Sequence, residues 1–168
     1  MTNKEQAVLH LKLIESEVPA TRKCLERIVE NVFNYKPHPK SMPMGYLAQL
    51  VAEIPLWITI MVQDNVIDFT TYKHAVVKTN DDLVKHFDDN IKGVKNALQN
   101  ASEEALSKTF TLRNGNDIML SVPLIQYIDP TINHWVHHRG QLTVYMRMND
   151  IDVPSVYGPS ADENPYKK

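Results

Sequence analysis

The chain of 168 residues has the length of one domain, with 43% hydrophobic and 23% charged residues, as in ordinary globular proteins. Its net charge of -2 argues against general nucleic-acid binding. The single cysteine, Cys24, excludes an intramolecular disulfide and a cysteine-rich zinc site. The five glycines form neither a GxGxxG nor a Walker A pattern, which excludes the common nucleotide-binding loops.

The N-terminal segment is amphipathic and carries both charge signs, so it lacks the apolar core of a signal peptide. The longest apolar stretch, residues 54–62, is too short to span a bilayer. We therefore expect a cytoplasmic protein without a membrane partner.

Two segments in the first half of the chain have helical periodicity. In residues 3–32, apolar side chains recur every three, four or seven positions, and Pro19 predicts a kink or a break near Glu17–Val18. Ser41 is a suitable N-cap for the second helix, which carries a wide apolar stripe and a proline, Pro55, where we expect a bend.

Two further helices are predicted in the second half. Thr79–Asn100 begins with a capping residue and acidic side chains, and a last helix runs from about Pro123 to Asn149, with a possible kink at Pro130. Between them, residues 110–118 contain Asn114-Gly115, a strong hairpin signal, for which we predict a two-stranded ribbon at most.

These elements predict an all-α fold, a four-helix bundle with a short hairpin before the last helix. The connection between the second and third helices is about sixteen residues long, which permits a long crossover. We expect a single domain over residues 1–168, with a C-terminal tail that frays after about residue 162.

The candidate site is a histidine cluster in the last helix. His134 and His138 are four residues apart, so they lie on one helix face and can share one divalent ion. Alternatively, two neutral imidazoles hydrogen-bond to each other, to a backbone carbonyl or to a buried water. His137 points about a quarter-turn away, and no third ligand is evident from the spacing alone.

Four sequence blocks resemble the DinB family of helical-bundle metalloproteins, which includes the YfiT-type proteins. They are Lys-Pro-His-Pro-Lys-Ser-Met at 36–42, Leu-Ala-x-x-Val-Ala-Glu-Ile-Pro at 47–55, Asn-His-x-x-His-His-Arg-Gly-Gln-Leu at 133–142 and Val-Pro-x-x-Tyr-Gly-Pro-Ser-Ala-Asp at 153–162. The resemblance implies a four-helix bundle with a long crossover, often a homodimer. It also implies a three-histidine metal site, with one ligand from the second helix and two spaced as His134 and His138 are.

The chain departs from the family pattern at one ligand position. Leu50 stands where the histidine of the second helix belongs, so Zn²⁺ or Ni²⁺ would be held weakly or not at all. Glu53, one turn further on, is a possible third ligand. Alternatively, Glu53 is a buried acid bonded to His134 or His138, or paired with Arg139.

The other polar candidates have simpler interpretations. Arg139 either binds an anionic substrate group or pairs with an acid such as Glu17, Glu53 or Asp68, and Gly140 suggests a close helix–helix approach. Cys24 is interpreted as a core residue. Four residues are expected to form the pocket wall: Leu50, Trp57, Arg139 and Tyr145. Three histidines are expected to be solvated: His10, His74 and His86.

Two functions follow from these observations and from the resemblance. The first is a DinB-like protein of unassigned activity that binds a small molecule or thiol, or a weakly held divalent metal, in a degenerate histidine site, or that serves as a structural or stress-response partner. The second is a metal-dependent thiol S-transferase or hydrolase, as in relatives whose intact site activates a thiol, with His134 and His138 as ligands. Whether the chain is an enzyme is left open, and nucleic-acid partners are not expected.

Overall fold

The computed structural model describes residues 1–167 and confirms the helical bundle. The long helices are α1 (Asn3–Glu26), α2 (Met44–Asp64), α3 (Asn80–Asn100) and α5 (Leu124–Arg147), and α4 (Glu103–Leu106) is a single turn. The strands are β1 (Val66–Asp68), β2 (Thr109–Asn114) and β3 (Asp117–Pro123). Helix α2 packs on α3 and α5, and α1 covers α3 and α5 from the other side.

Helix α2 is the centre of the core. Thirteen of its residues are buried, among them Leu47, Val51 and Ile58. It is long and apolar enough to pass for a membrane span by length and composition, but 72% of its most apolar stretch is buried inside the bundle. Such burial is that of the core helix of a soluble protein.

The helix starts depend on local capping. Helix α3 begins where predicted, because Thr79 and Asp82 form a capping box. Helix α2 begins at Met44, so the predicted N-cap at Ser41 is wrong. Pro43 explains the difference, because a proline disfavours helical geometry in the residue before it, here Met42.

Helix α1 differs from its prediction in two ways. It runs through Pro19 without a break, and the carbonyl group that Pro19 cannot bond belongs to an exposed residue, Glu15. It ends at Glu26 and not at residue 32, and a 3₁₀ turn follows at Glu30–Val32. The Asn80 side chain donates to the carbonyl oxygens of Leu25 and Ile28 at 2.8 and 2.6 Å, which satisfies this helix end.

The hairpin is part of a three-stranded sheet, so the predicted limit of two strands is wrong. Strands β2 and β3 are antiparallel around Gly115, whose φ of 62° suits glycine. Strand β1, from the crossover, pairs in parallel with β2, and Val66 lies opposite Thr111. Asp68 stabilises this corner by accepting hydrogen bonds from the Gly115 amide and from Thr70. These hydrogen bonds lower the pKa of its carboxyl to about 2.

The C-terminal tail is fastened to the bundle by charged groups. Asp162 pairs with Arg147, and Glu163 pairs with Arg27 and with Lys23, at 3.5 Å. The predicted fraying beyond residue 162 and the single-domain boundary stay predictions, and their last residue, 168, lies outside the described residues.

Candidate functional site

A cavity of about 450 Å³ opens between α2, α5, the crossover and the sheet. This volume is within the range of small-molecule sites. Its walls are mostly aromatic and aliphatic, and six of the lining residues are Leu50, Trp57, Phe69, Tyr72, Phe110 and Tyr127.

Two histidines of α5 lie where the cavity meets solvent. The Nε2 atoms of His134 and His138 are 2.8 Å apart, and His138 Nδ1 donates to Gln141 Oε1 at 2.9 Å. Since Nδ1 carries the proton of a neutral His138 ring, its Nε2 accepts from Nε2–H of His134. Burial lowers the pKa of both rings, with a further contribution for His134 from its histidine neighbours, so both are neutral at pH 7.

This histidine pair does not match a three-histidine metal site. Leu50 lines the cavity with 7% of its surface exposed and offers no lone pair. Within residues 1–167, no group of three His, Cys, Asp or Glu side chains is arranged to hold a metal ion. A metal would also displace the hydrogen bond between His134 and His138.

Glu53 is fully buried on α2 and faces the crossover. Its Oε1 accepts from the Tyr72 hydroxyl at 2.5 Å and from His74 Nδ1 at 2.6 Å, and its Oε2 accepts from the Ala75 amide at 3.3 Å. The partners predicted for Glu53, namely His134, His138 or Arg139, are therefore wrong. They are wrong because the crossover folds back over α2 and supplies closer donors.

The donors around Glu53 keep it ionised. Burial by itself would raise the pKa of the carboxyl, but the neighbouring His86 ring and hydrogen bonds from Tyr72 and His74 outweigh it and lower the pKa to about 2. In turn, burial and the Glu53 carboxylate raise the pKa of Tyr72.

All three histidines expected to be solvated have protein partners. His74 Nδ1 bonds to Glu53, and His86 Nε2 lies 3.6 Å from the other Glu53 oxygen. His10 is buried and lies 3.0 Å from Asp129. The prediction is wrong for His10, which is buried, whereas the His74 side chain is 40% exposed as expected. The partners were not predicted because local polarity does not show which faces the crossover and helix packing cover. Sequence reasoning identified Glu53 as a possible buried acid, which needs donors within an apolar helix stripe, but it did not identify the crossover residues that supply them.

The crossover forms one wall of the cavity and is pinned to α2. Trp57 Nε1 donates to the Tyr72 hydroxyl, and Gln49 Nε2 donates to the Ala75 carbonyl, both at 2.8 Å. His74 lines the same wall, with its Nε2 3.5 Å from the Tyr46 hydroxyl.

Arg139 forms a separate buried cluster. Its guanidinium pairs with Glu17 at 2.6 Å, one of the predicted acids, and donates to the hydroxyls of Thr21 at 2.9 Å and Tyr157 at 2.8 Å. The cluster joins α1, α5 and the tail. Arg139 and Tyr145, both predicted at the pocket, do not line the cavity, and the Tyr145 hydroxyl donates to a backbone carbonyl at 3.3 Å.

Two remaining candidates have structural positions. A Cβ at Gly140 would meet no atom within 4 Å, so the close helix approach predicted there does not occur within the described chain. Cys24 is buried, and burial raises the pKa of its thiol to about 11, which suits a core residue and not a nucleophile.

Comparison with known proteins agrees with this architecture. A stretch of 32 residues is 53% identical to the uncharacterized protein YrdA of Bacillus subtilis, and it covers 19% of each chain. Two crystal structures resemble the fold. The DinB-like protein YjoA from Bacillus subtilis has a TM-score of 0.67 at 17% identity, with 88% of this chain and 96% of that one covered. A DinB-like protein from Bacillus cereus ATCC 10987 has a TM-score of 0.68 at 22% identity, with 88% and 95% covered.

The two structural likenesses show a shared fold, since both sequence identities are low. The family assignment depends on the match of residues 1–166, nearly the whole chain, to the model of the DinB family. The predicted resemblance is thereby confirmed, and the chain belongs to the DinB family.

Proposed function

We propose that this protein binds a small, largely apolar molecule in the cavity between α2, α5 and the crossover. The observation that carries the proposal is the cavity itself, whose volume of about 450 Å³ and aromatic walls suit a ligand of a few rings. Leu50 supports it, because it adds apolar surface at the position where the family resemblance implies a metal ligand.

Hydrogen bonds within the protein hold the walls of the cavity in place. Its crossover wall is held by the ionised Glu53 and by the Trp57–Tyr72 hydrogen bond. Such fixed walls favour binding, since little conformational entropy is lost when a ligand enters.

A direct test is titration with N-phenyl-1-naphthylamine, a neutral apolar fluorophore, followed by fluorescence and by calorimetry. We expect one saturable site per chain. Leu50→Trp fills the cavity and should weaken binding at least about tenfold. Leu13→Trp, at an exposed position of α1, is the matched control and should bind as the wild type does. Equal binding by all three proteins would contradict the proposal.

A weakly held Zn²⁺ or Ni²⁺ at His134 and His138 is the second candidate. It is favoured by the facing Nε2 atoms of the two rings. It is also favoured by Gln141, which hydrogen-bonds to the other nitrogen of His138, as partner groups of metal-bound histidines do. The enzymatic alternative, a thiol S-transferase or hydrolase, depends on this metal.

Metal titration distinguishes a weak metal site from the tight site that the enzymatic alternative requires. We expect weak Zn²⁺ binding by the wild type, none by His138→Ala and a large gain in affinity by Leu50→His. Stoichiometric, tight metal in the wild type would favour the enzyme.

We also propose, from sequence and family resemblance, a cytoplasmic homodimer with a role in stress response and without nucleic-acid or membrane partners.

A further inference from the structure

Most polar groups on the cavity wall already have protein partners. Trp57 donates to Tyr72, which donates to Glu53, and the facing nitrogens of His134 and His138 bond to each other. A ligand that engages one of these paired atoms must displace an existing hydrogen bond, so the paired atoms contribute little to recognition.

His74 offers the cavity an acceptor whose direction is fixed by a buried partner. Its Nδ1 lies 2.6 Å from the buried Glu53 carboxylate, which can only accept, so Nδ1 carries the proton. In the neutral ring, Nε2 is then an acceptor held in a fixed direction, as in other carboxylate–imidazole pairs. Its nearest donor, the Tyr46 hydroxyl, is 3.5 Å away, at the limit of a hydrogen bond. The His74 side chain is 40% exposed and lines the cavity.

The charge of the cavity wall restricts the ligand. Among the described residues that line it, none is lysine or arginine, so an anionic group would lie without a counter-charge. Both Glu53 oxygens accept hydrogen bonds from the protein, which leaves the carboxylate unavailable to a cation. A neutral donor is the group that complements His74.

We propose that Glu53 and His74 form a recognition pair, in which His74 Nε2 accepts a hydrogen bond from the hydroxyl or thiol of an otherwise apolar ligand. The inference rests on the proposed function, because it requires that the cavity binds such a molecule. Glu53 is the positioning residue, and His74 is the residue that contacts the ligand.

Two matched probes test the pair: 2-naphthol carries a hydroxyl donor, and 2-methoxynaphthalene has the same ring system without it. By calorimetry, we expect the wild type to bind 2-naphthol about five to ten times more tightly than the ether. The preference should disappear in His74→Ala, while affinity for the ether is kept, and it should persist in His137→Ala, an exposed histidine outside the cavity lining.

The possible outcomes distinguish a failure of the Glu53–His74 pair from a failure of the proposed ligand binding. If neither probe binds the wild type, the proposed function fails together with the inference. If both probes bind equally well, or if the preference survives in His74→Ala, the cavity remains a binding site and the recognition pair is wrong.

A measurement on the wild-type protein tests the inference without relying on a variant that could misfold. Long-range ¹H–¹⁵N NMR should show the His74 proton on Nδ1 and a bare Nε2 whose resonance moves with 2-naphthol but not with the ether. A proton on Nε2 of the neutral ring would overturn the inference.

Discussion

The buried carboxylate of Glu53 makes a quantitative prediction about acid stability. Its pKa is about 2 in the folded protein and 4.5 in an unperturbed chain. Each pKa unit corresponds to about 1.4 kcal/mol, so ionised Glu53 contributes about 3 kcal/mol to the free energy of unfolding at neutral pH. Because the folded pKa is the lower one, this contribution is complete above the unfolded pKa and is lost as the pH falls towards 2.

The perturbation is Glu53→Gln, which keeps the size of the side chain and removes its charge and titration. Urea unfolding of both proteins at several pH values gives the difference in unfolding free energy between them. We expect the wild type to be the more stable protein at neutral pH, and its advantage to shrink by about 3 kcal/mol between about pH 5 and pH 2.

The matched control is Glu104→Gln, on an exposed residue of α4. Its difference from the wild type should stay nearly constant over the same pH range, because an exposed carboxylate gains little from folding. If the Glu53→Gln difference is equally constant, the hydrogen-bonded Glu53 does not stabilise the fold as argued.

Two further variants test other parts of the structure. Arg139→Met should lower the free energy of unfolding by about 3 kcal/mol or more, since Glu17 is left buried without its cation. Arg147→Met breaks a more exposed pair and should lower it by less than about 1 kcal/mol, so equal losses in urea unfolding would contradict the buried cluster. Gly140→Ala should raise stability by about 1 kcal/mol, because the added Cβ meets only open space. A fall instead would contradict the open surroundings of Gly140.

Signals confined to a few neighbouring residues were sufficient to predict several elements. The capping box at Thr79 fixed the start of α3, and Asn114-Gly115 fixed the hairpin. The spacing of His134 and His138 correctly brought two rings together on α5.

Features that depend on distant parts of the chain could not be predicted in this way. Strand β1 has three residues and exists only because β2 lies beside it. The surroundings of Glu53 form when residues 72–75 fold back over α2, so no periodicity within α2 identifies them. Pro19 does not break α1, and Glu15, whose carbonyl Pro19 cannot bond, lies on a helix face whose exposure depends on how α1 packs.

The parallel pairing of β1 with β2 bears on how the protein folds. The whole of α3 lies between Val66 and its partner Thr111, whereas β2 and β3 are joined by a tight turn. Because the entropy of closing this long loop is lost before the pairing is gained, the pairing of β1 with β2 should form more slowly than the hairpin. If the crossover wall closes after the transition state, a ligand in the proposed cavity would slow the rate of unfolding and leave the rate of folding almost unchanged.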